Sequence, residues 1–253
     1  MKNISLKLFI TTAAIAAIVF VLGLTPLGII PLGFMNVTIL CIPVIVGVLT
    51  LGLKSGLILG ACFGLASTLR AFGIPTPASA LVSNLMAKQP LLVILMSMLP
   101  RLAVPAVSFF AYRFSVRFTS QVKRFPALTK AADSLVFIIA FPALMIALYA
   151  FKLFPFWLTA LMFVLFAAFE MLFASKSDNS SLILASCAGS LTNTVLYLGL
   201  MLLFYRMCGI DTQAVLNLIA GTGIIAGGTE AMAAAILTPP IIAALRRAHL
   251  SYI

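Results

Sequence analysis

The chain is 253 residues long, 63% hydrophobic and only 8% charged, which excludes an ordinary water-soluble domain. Its formal net charge of +11 comes from basic residues scattered singly at the ends of apolar runs, a distribution that fits loop anchors at a membrane surface and excludes a nucleic-acid-binding face. The apolar residues form long continuous runs rather than alternating with polar ones, so the predicted spans are helices and not barrel strands.

The first helix is predicted over about Leu6 to Thr25, with a basic start that runs on as a full span rather than as a cleavable leader. Ala13 and Ala17 stand one helical turn apart on it, a small-residue face that serves either packing within the chain or docking of another membrane subunit. Pro26 to Met35 (PLGIIPLGFM) is an uncharged loop punctuated by proline and glycine, too irregular to lie bare in lipid, so it reaches water or covers a cavity. Asn36 and Thr38 follow it and open the second helix, Thr38 serving equally well as a plain cap.

From Asn36 to Phe72 the sequence reads as two membrane-crossing helices joined by a tight turn at Gly52-Leu53-Lys54-Ser55. Gly56, Gly60 and Gly64 recur at helical spacing in the second of them and predict a flat groove where a neighbouring backbone comes close. The groove ends at Ser67, Thr68 and Arg70. A charge in an apolar span costs about 2.5–3.5 kcal/mol at the bilayer centre and less near the interface, so Arg70 is a candidate functional cation.

Gly73 to Met98, which includes Asn84, reads as a long outer loop with a partial helix. The fourth span starts near Pro100-Arg101 and ends at the basic cluster Arg113, Arg117, Lys123, Arg124 and Lys130, which marks the cytoplasmic side. Residues 133–152 and 156–175 form an apolar hairpin turning at Lys152-Leu153-Phe154-Pro155, with Glu170 in a bland place near the interface. The fifth span runs from about Ser181 to Tyr205 and carries Asn193. After an outer stretch, Ala214 to Gly228 is a glycine-interrupted partial helix, and Thr229 to Arg247 is the last crossing. With both termini inside, eleven of the sixteen basic residues fall on the cytoplasmic side.

Several chemistries are excluded. Gly47 to Ser55 (GVLTLGLKS) does not have the spacing of a phosphate-binding loop, and His249 is the only histidine, so no Ser/His or HExxH set exists. Cys41, Cys62, Cys187 and Cys208 lack metal or disulfide spacing. What remains is a polar set predicted to converge on the outer half: Arg70, Arg101, Asn193, Thr229 and Glu230, with Asn36 and Asn84 on adjoining loops. These groups either satisfy one another, an Arg101–Glu230 pair acting as a staple, or line a pocket in which arginine takes a carboxylate and asparagine reads hydroxyl or amide groups.

Four stretches in order are similar to the substrate-binding (S) components of energy-coupling factor (ECF) vitamin transporters, and among these most resemble the pantothenate-type members. They are the run from Asn36 to Phe72, Leu99-Pro100-Arg101, Gly189-Ser190-Leu191-Thr192-Asn193-Thr194, and Gly227-Gly228-Thr229-Glu230-Ala231. The resemblance implies an all-α polytopic membrane protein with a six-helix core. Here that core is extended by the inserted hairpin 132–176 to eight spans in a single domain, 1–253. It implies a non-enzymatic subunit of the cell membrane, without metal or cofactor, that captures a water-soluble vitamin outside the cell. Its partners would be a transmembrane coupling (T) subunit and two cytoplasmic ATPases. The first loop would gate the pocket, Ala13 and Ala17 would form the docking face, and Asn36, Arg70, Asn84, Arg101, Asn193, Thr229 and Glu230 would bind the vitamin. Two arginines against one nearby carboxylate predict an anionic ligand, and Phe34, Phe72 and Tyr197 are too few aromatics for a flavin, which favours pantothenate. The alternative is an ion-coupled secondary transporter of a small organic anion, with Glu230, Glu170 and Asp133 as candidate ion sites.

Overall fold

The structure, a computed structural model, describes residues 2–31, 36–73, 79–122, 177–218 and 224–251. The apolar hairpin expected at 132–176 lies outside the described residues. The elements in order are α1 (Lys2–Leu24), a 3-10 turn (Pro26–Gly28), β1 (Ile29–Pro31), β2 (Asn36–Thr38), α2 (Cys41–Leu51), α3 (Leu53–Gly73), α4 (Ser79–Lys88), α5 (Pro90–Val122), α6 (Ser177–Met207), α7 (Gln213–Leu218) and α8 (Ile224–Arg247). Five segments are long and apolar enough to cross a membrane: Leu6–Leu24, Leu53–Gly73, Pro90–Arg117, Ser181–Met207 and Gly227–Arg247. The chain is a multi-pass helical membrane protein.

Side-chain contacts fix the direction of each helix. Thr12 meets Ser55 at 3.2 Å and Gly23 lies against Ala66, so α1 and α3 run parallel. Gly60 lies against Arg101 and Gly64 against Met98, so α3 and α5 run antiparallel. Ser115 meets Ser181 at 3.0 Å and Arg101 stacks on Tyr197, which makes α5 and α6 antiparallel as well. Cys187 lies 3.8 Å from the Ala231 carbonyl while Thr194 reaches Glu230, which sets α8 beside α6. Lys7, Lys54, Arg113, Arg117, Arg246 and Arg247 therefore gather at one end of the bundle, and Arg70, Lys88 and Arg206 at the other.

The glycine face of α3 packs as its spacing predicts. A Cβ on Gly60 would stand 2.6 Å from the Arg101 carbonyl oxygen, one on Gly64 2.6 Å from Met98 Sδ, and one on Gly56 2.5 Å from Val48. The groove is filled by α5 and α2, whose backbones approach α3 more closely than any side chain there would allow.

Three expectations are corrected. First, α2 has 11 residues, about 16 Å of helix, which is about half the thickness of a hydrocarbon core. All its residues but Pro43 are buried, so it is a half-length helix inside the bundle and not a crossing of its own. It starts with Pro43 in its first turn, where a missing N–H costs nothing. It stops at Gly52, whose positive φ of 96° turns the chain into α3. Second, Asn36 and Thr38 do not open that helix. They form β2, paired antiparallel with β1 through Ile29–Thr38, Ile30–Val37 and Pro31–Asn36. A hairpin satisfies the backbone groups of a segment too rich in proline and glycine to be helical. Third, α5 starts at Pro90, ten residues before the predicted boundary, and continues through Pro100 and Pro105. Pro90 occupies the first helical position, where proline favours helix, and Gln89 N–H closes α4 by donating to Leu85 O at 2.8 Å. Among the described residues, α4 and Gln89 are what remains of the predicted outer loop with its partial helix.

Two apolar cores result. The larger surrounds α2 and includes Ile15, Val19, Ile45, Leu49, Leu59, Phe63, Val104, Leu182 and Ile242. The smaller joins α4, the start of α5, the end of α6 and α7 through Val82, Leu85, Val93, Met96, Met201, Phe204, Tyr205 and Val215. Tyr205 ties that second core together by donating its hydroxyl to the Leu81 carbonyl at 2.5 Å.

Candidate ligand-binding site

Between the two cores, α5, α6 and α8 bring polar groups together against α3 and the end of β2. Glu230, on the first turns of α8, is 6% exposed. Its Oε1 accepts the Thr38 backbone N–H at 2.9 Å and also the Thr38 hydroxyl, and its Oε2 accepts the Thr194 hydroxyl at 3.3 Å. The approach that allows this comes from Gly227, one turn earlier on α8, where a Cβ would stand 2.9 Å from Thr194 Cγ2. Thr229, half-buried beside it, is itself engaged.

Arg101 sits on α5 between two aromatic rings. Its guanidinium carbon lies 4.6 Å from the centroid of Tyr197 and 5.4 Å from that of Phe63. Cation–π contacts of this kind stabilise by about 0.5–2 kcal/mol, more as water is excluded. Its Nη1 donates to the Met96 carbonyl at 3.3 Å, and its Nε is buried without a partner among the described residues. Among the described residues no direct ion pair joins Arg101 to Glu230, although each feels the other's charge. The Arg101–Glu230 staple weighed from the sequence is therefore not formed: hydroxyl and amide donors satisfy the carboxylate, while aromatic faces and a carbonyl hold the guanidinium.

Asn193 lies one turn before Tyr197 on α6 and is 6% exposed, with its Oδ1 buried and unpartnered. A buried acceptor without a donor costs about 1–3 kcal/mol, and among the described residues none donates to this amide oxygen. Cys41, at the start of α2, completes the wall. Its Sγ is 3.8 Å from Ser190 Oγ, and the residue lies within electrostatic range of both Glu230 and Arg101.

The structure thus brings together Arg101, Asn193, Glu230 and Thr229, and it separates Arg70 and Asn84 from them. Arg70 Nη1 donates to the Gly23 carbonyl at 3.2 Å, in the last turn of α1, where a cation complements the helix C-terminus. Asn84 is exposed on α4, the helix whose Val82 and Leu85 belong to the second core. Asn36 is placed on β2, at the mouth of the hairpin. Of the aromatics weighed from the sequence, Tyr197 is in the site, Phe72 is 51% exposed, and Phe34 lies outside the described residues.

Sequence reasoning missed four contributors. Phe63 falls between Gly60 and Gly64, beside the face predicted to meet a neighbouring backbone, so its position was readable from the same periodicity. Met96 stands four residues before Pro100, the position whose carbonyl a helical proline leaves without a donor. Thr194 and Ser190 carried no signal of their own beyond following one another around one face of α6.

On the docking question, Ala13 and Ala17 are exposed, while Thr12, Ile15 and Val19 turn inward toward α2 and α3. Among the described residues nothing packs closely on that small-residue face. No family model matches this chain, and no curated protein matches it.

Proposed function

We propose that this chain is the substrate-binding subunit of an ECF-type importer and that it captures a small monocarboxylate vitamin, with pantothenate the best fit, from outside the cell. A transmembrane coupling subunit and two cytoplasmic ATPases would complete the transporter. In this reading Lys7, Lys54, Arg113, Arg117, Arg246 and Arg247 mark the cytoplasmic end, and both termini are cytoplasmic. The eight-span topology counts the five described crossings, α2 with the hairpin that leads into it, and the two apolar runs within 132–176.

The observation that supports it is the state of Arg101 and Asn193. Arg101 holds its guanidinium carbon over the Phe63 and Tyr197 rings, with one nitrogen engaged by a carbonyl and no ion-pair partner among the described residues. What it still offers is the edge formed by Nε and Nη2, the geometry that takes a carboxylate with two parallel bonds. Asn193 Oδ1, lacking a donor, suits a ligand hydroxyl or amide N–H. Pantothenate carries one carboxylate, one amide and two hydroxyls, which matches both needs. Glu230 closes the site by holding Thr38, and with it the hairpin, against α8.

Calorimetry on the purified chain tests this. Pantothenate is expected to bind, and Arg101→Ala to weaken it by about ten- to a hundredfold, the equivalent of about 1.5–3 kcal/mol for a charge-assisted bond. Arg101→Ala/Glu230→Gln, measured alongside, separates ligand contact from a loss of charge balance within the site. No heat with pantothenate, together with tight binding of a cationic vitamin such as thiamine, overturns the anionic reading. Proton- or sodium-driven uptake by the chain alone in liposomes would replace the importer subunit with an ion-coupled carrier.

A further inference from the structure

We propose that Pro100 is a positioning residue for Arg101 and that it acts by withholding a backbone proton. In an uninterrupted helix the N–H of residue 100 would donate to the carbonyl of residue 96. Proline has no N–H, so α5 passes through Pro100 with the Met96 carbonyl left without its helical donor. Met96 is fully buried, and a carbonyl in that setting requires another partner. The partner is Arg101 Nη1, at 3.3 Å.

The consequence is directional. The bond folds the guanidinium back along its own helix and slides it between Phe63 and Tyr197. The two rings hold the guanidinium carbon over their faces, and the Met96 carbonyl fixes one of its nitrogens. One edge remains, Nε with Nη2, and Nε is the atom found unpartnered. On the opposite side, Gly60 lets α3 approach the Arg101 carbonyl oxygen. With a residue other than proline at position 100, a backbone N–H would compete for Met96 O, and the guanidinium would lose the contact that aims it.

This inference rests on the reading that Arg101 receives the carboxylate of the ligand, and it adds what orients Arg101 for that task. The experiment titrates full-length chain with pantothenate and with pantothenol, in which a neutral CH2OH stands where the carboxylate was. Wild type, Pro100→Ala and Pro105→Ala are compared by calorimetry. Alanine is favoured over proline in a helix interior, so both variants are expected to fold. Wild type should prefer pantothenate. In Pro100→Ala that preference should fall about tenfold, the scale of one misaligned charge-assisted bond, with pantothenol affinity unchanged. Pro105→Ala should keep the wild-type preference, because no guanidinium contact depends on it. An unchanged preference in Pro100→Ala overturns the positioning role and leaves the carboxylate reading standing. An equal fall in both proline variants assigns the effect to the shape of α5 and overturns it too. A wild-type chain that does not distinguish the two compounds removes both the carboxylate reading and this inference.

Discussion

Glu230 Oε1 accepts the backbone N–H of Thr38 at 2.9 Å, a bond between the last long helix and a hairpin 192 residues earlier in the chain. One carboxylate thereby serves the hairpin, α6 and α8 at once, since the hydroxyls of Thr38 and Thr194 also donate to it. Removing it strands three donors. Glu230→Ala is expected to destabilise the purified chain by about 1.5–3 kcal/mol, and Glu230→Gln, which keeps an acceptor, by less. Thermal unfolding in detergent measures both; coincident curves for wild type and Glu230→Ala would show that the tie carries no energy.

Gly60 and Gly199 provide a paired test of close packing. A Cβ at Gly60 would stand 2.6 Å from the Arg101 carbonyl, whereas nothing lies within 4 Å of one at Gly199. Gly60→Ala should cost about 1–3 kcal/mol through forced backbone movement. Gly199→Ala should be neutral or stabilise by up to about 1 kcal/mol through helix propensity. Equal effects at the two positions would remove the close approach of α3 and α5 as a stabilising feature.

The outward face of α1 carries a prediction about assembly. Ala13 and Ala17 are exposed, so replacing both by tryptophan creates no clash inside the chain. If they form the docking face, Ala13→Trp/Ala17→Trp should abolish uptake by the complete transporter and leave pantothenate binding to the isolated chain unchanged, because large side chains block close helix approach. Normal uptake by the double variant rules the docking face out.

Orientation can be read at two exposed positions. Lys54 lies at the α2–α3 turn and Arg206 at the end of α6, at opposite ends of the bundle. In a background lacking the native cysteines, a cysteine at position 206 should react with an impermeant reagent added to intact cells, and one at position 54 should not. The reverse pattern would invert the topology.

The sequence made the membrane class, the glycine groove and the meeting of Arg101, Asn193 and Glu230 legible, because hydropathy and helical spacing report on faces directly. Prolines misled in one direction. Pro90 and Pro100 read as breaks and placed α5 too late, since a breaker at the first helical position is a starter, and one inside a buried helix survives when a side chain takes the orphaned carbonyl. Arg70 is a different case. Its depth suggested a ligand cation, but depth alone does not say which partner is near, and the carbonyl of Gly23 is contributed by a helix that pattern reasoning had not oriented. The short hairpin was illegible because three-residue strands carry too few alternating positions to register.

The half-length of α2 has a thermodynamic corollary. Cys41 begins about 15 Å of helix from the Lys54 end, so with that end at the membrane surface, as proposed, the site it borders sits about half a hydrocarbon thickness deep. In the proposed reading, a solute reaching Arg101 and Asn193 surrenders its hydration shell to the buried donors and acceptors described there. Discrimination then falls to the solvation cost of each polar group the site leaves unmatched: a compound with one more hydroxyl than the site can pair is rejected by its own affinity for water.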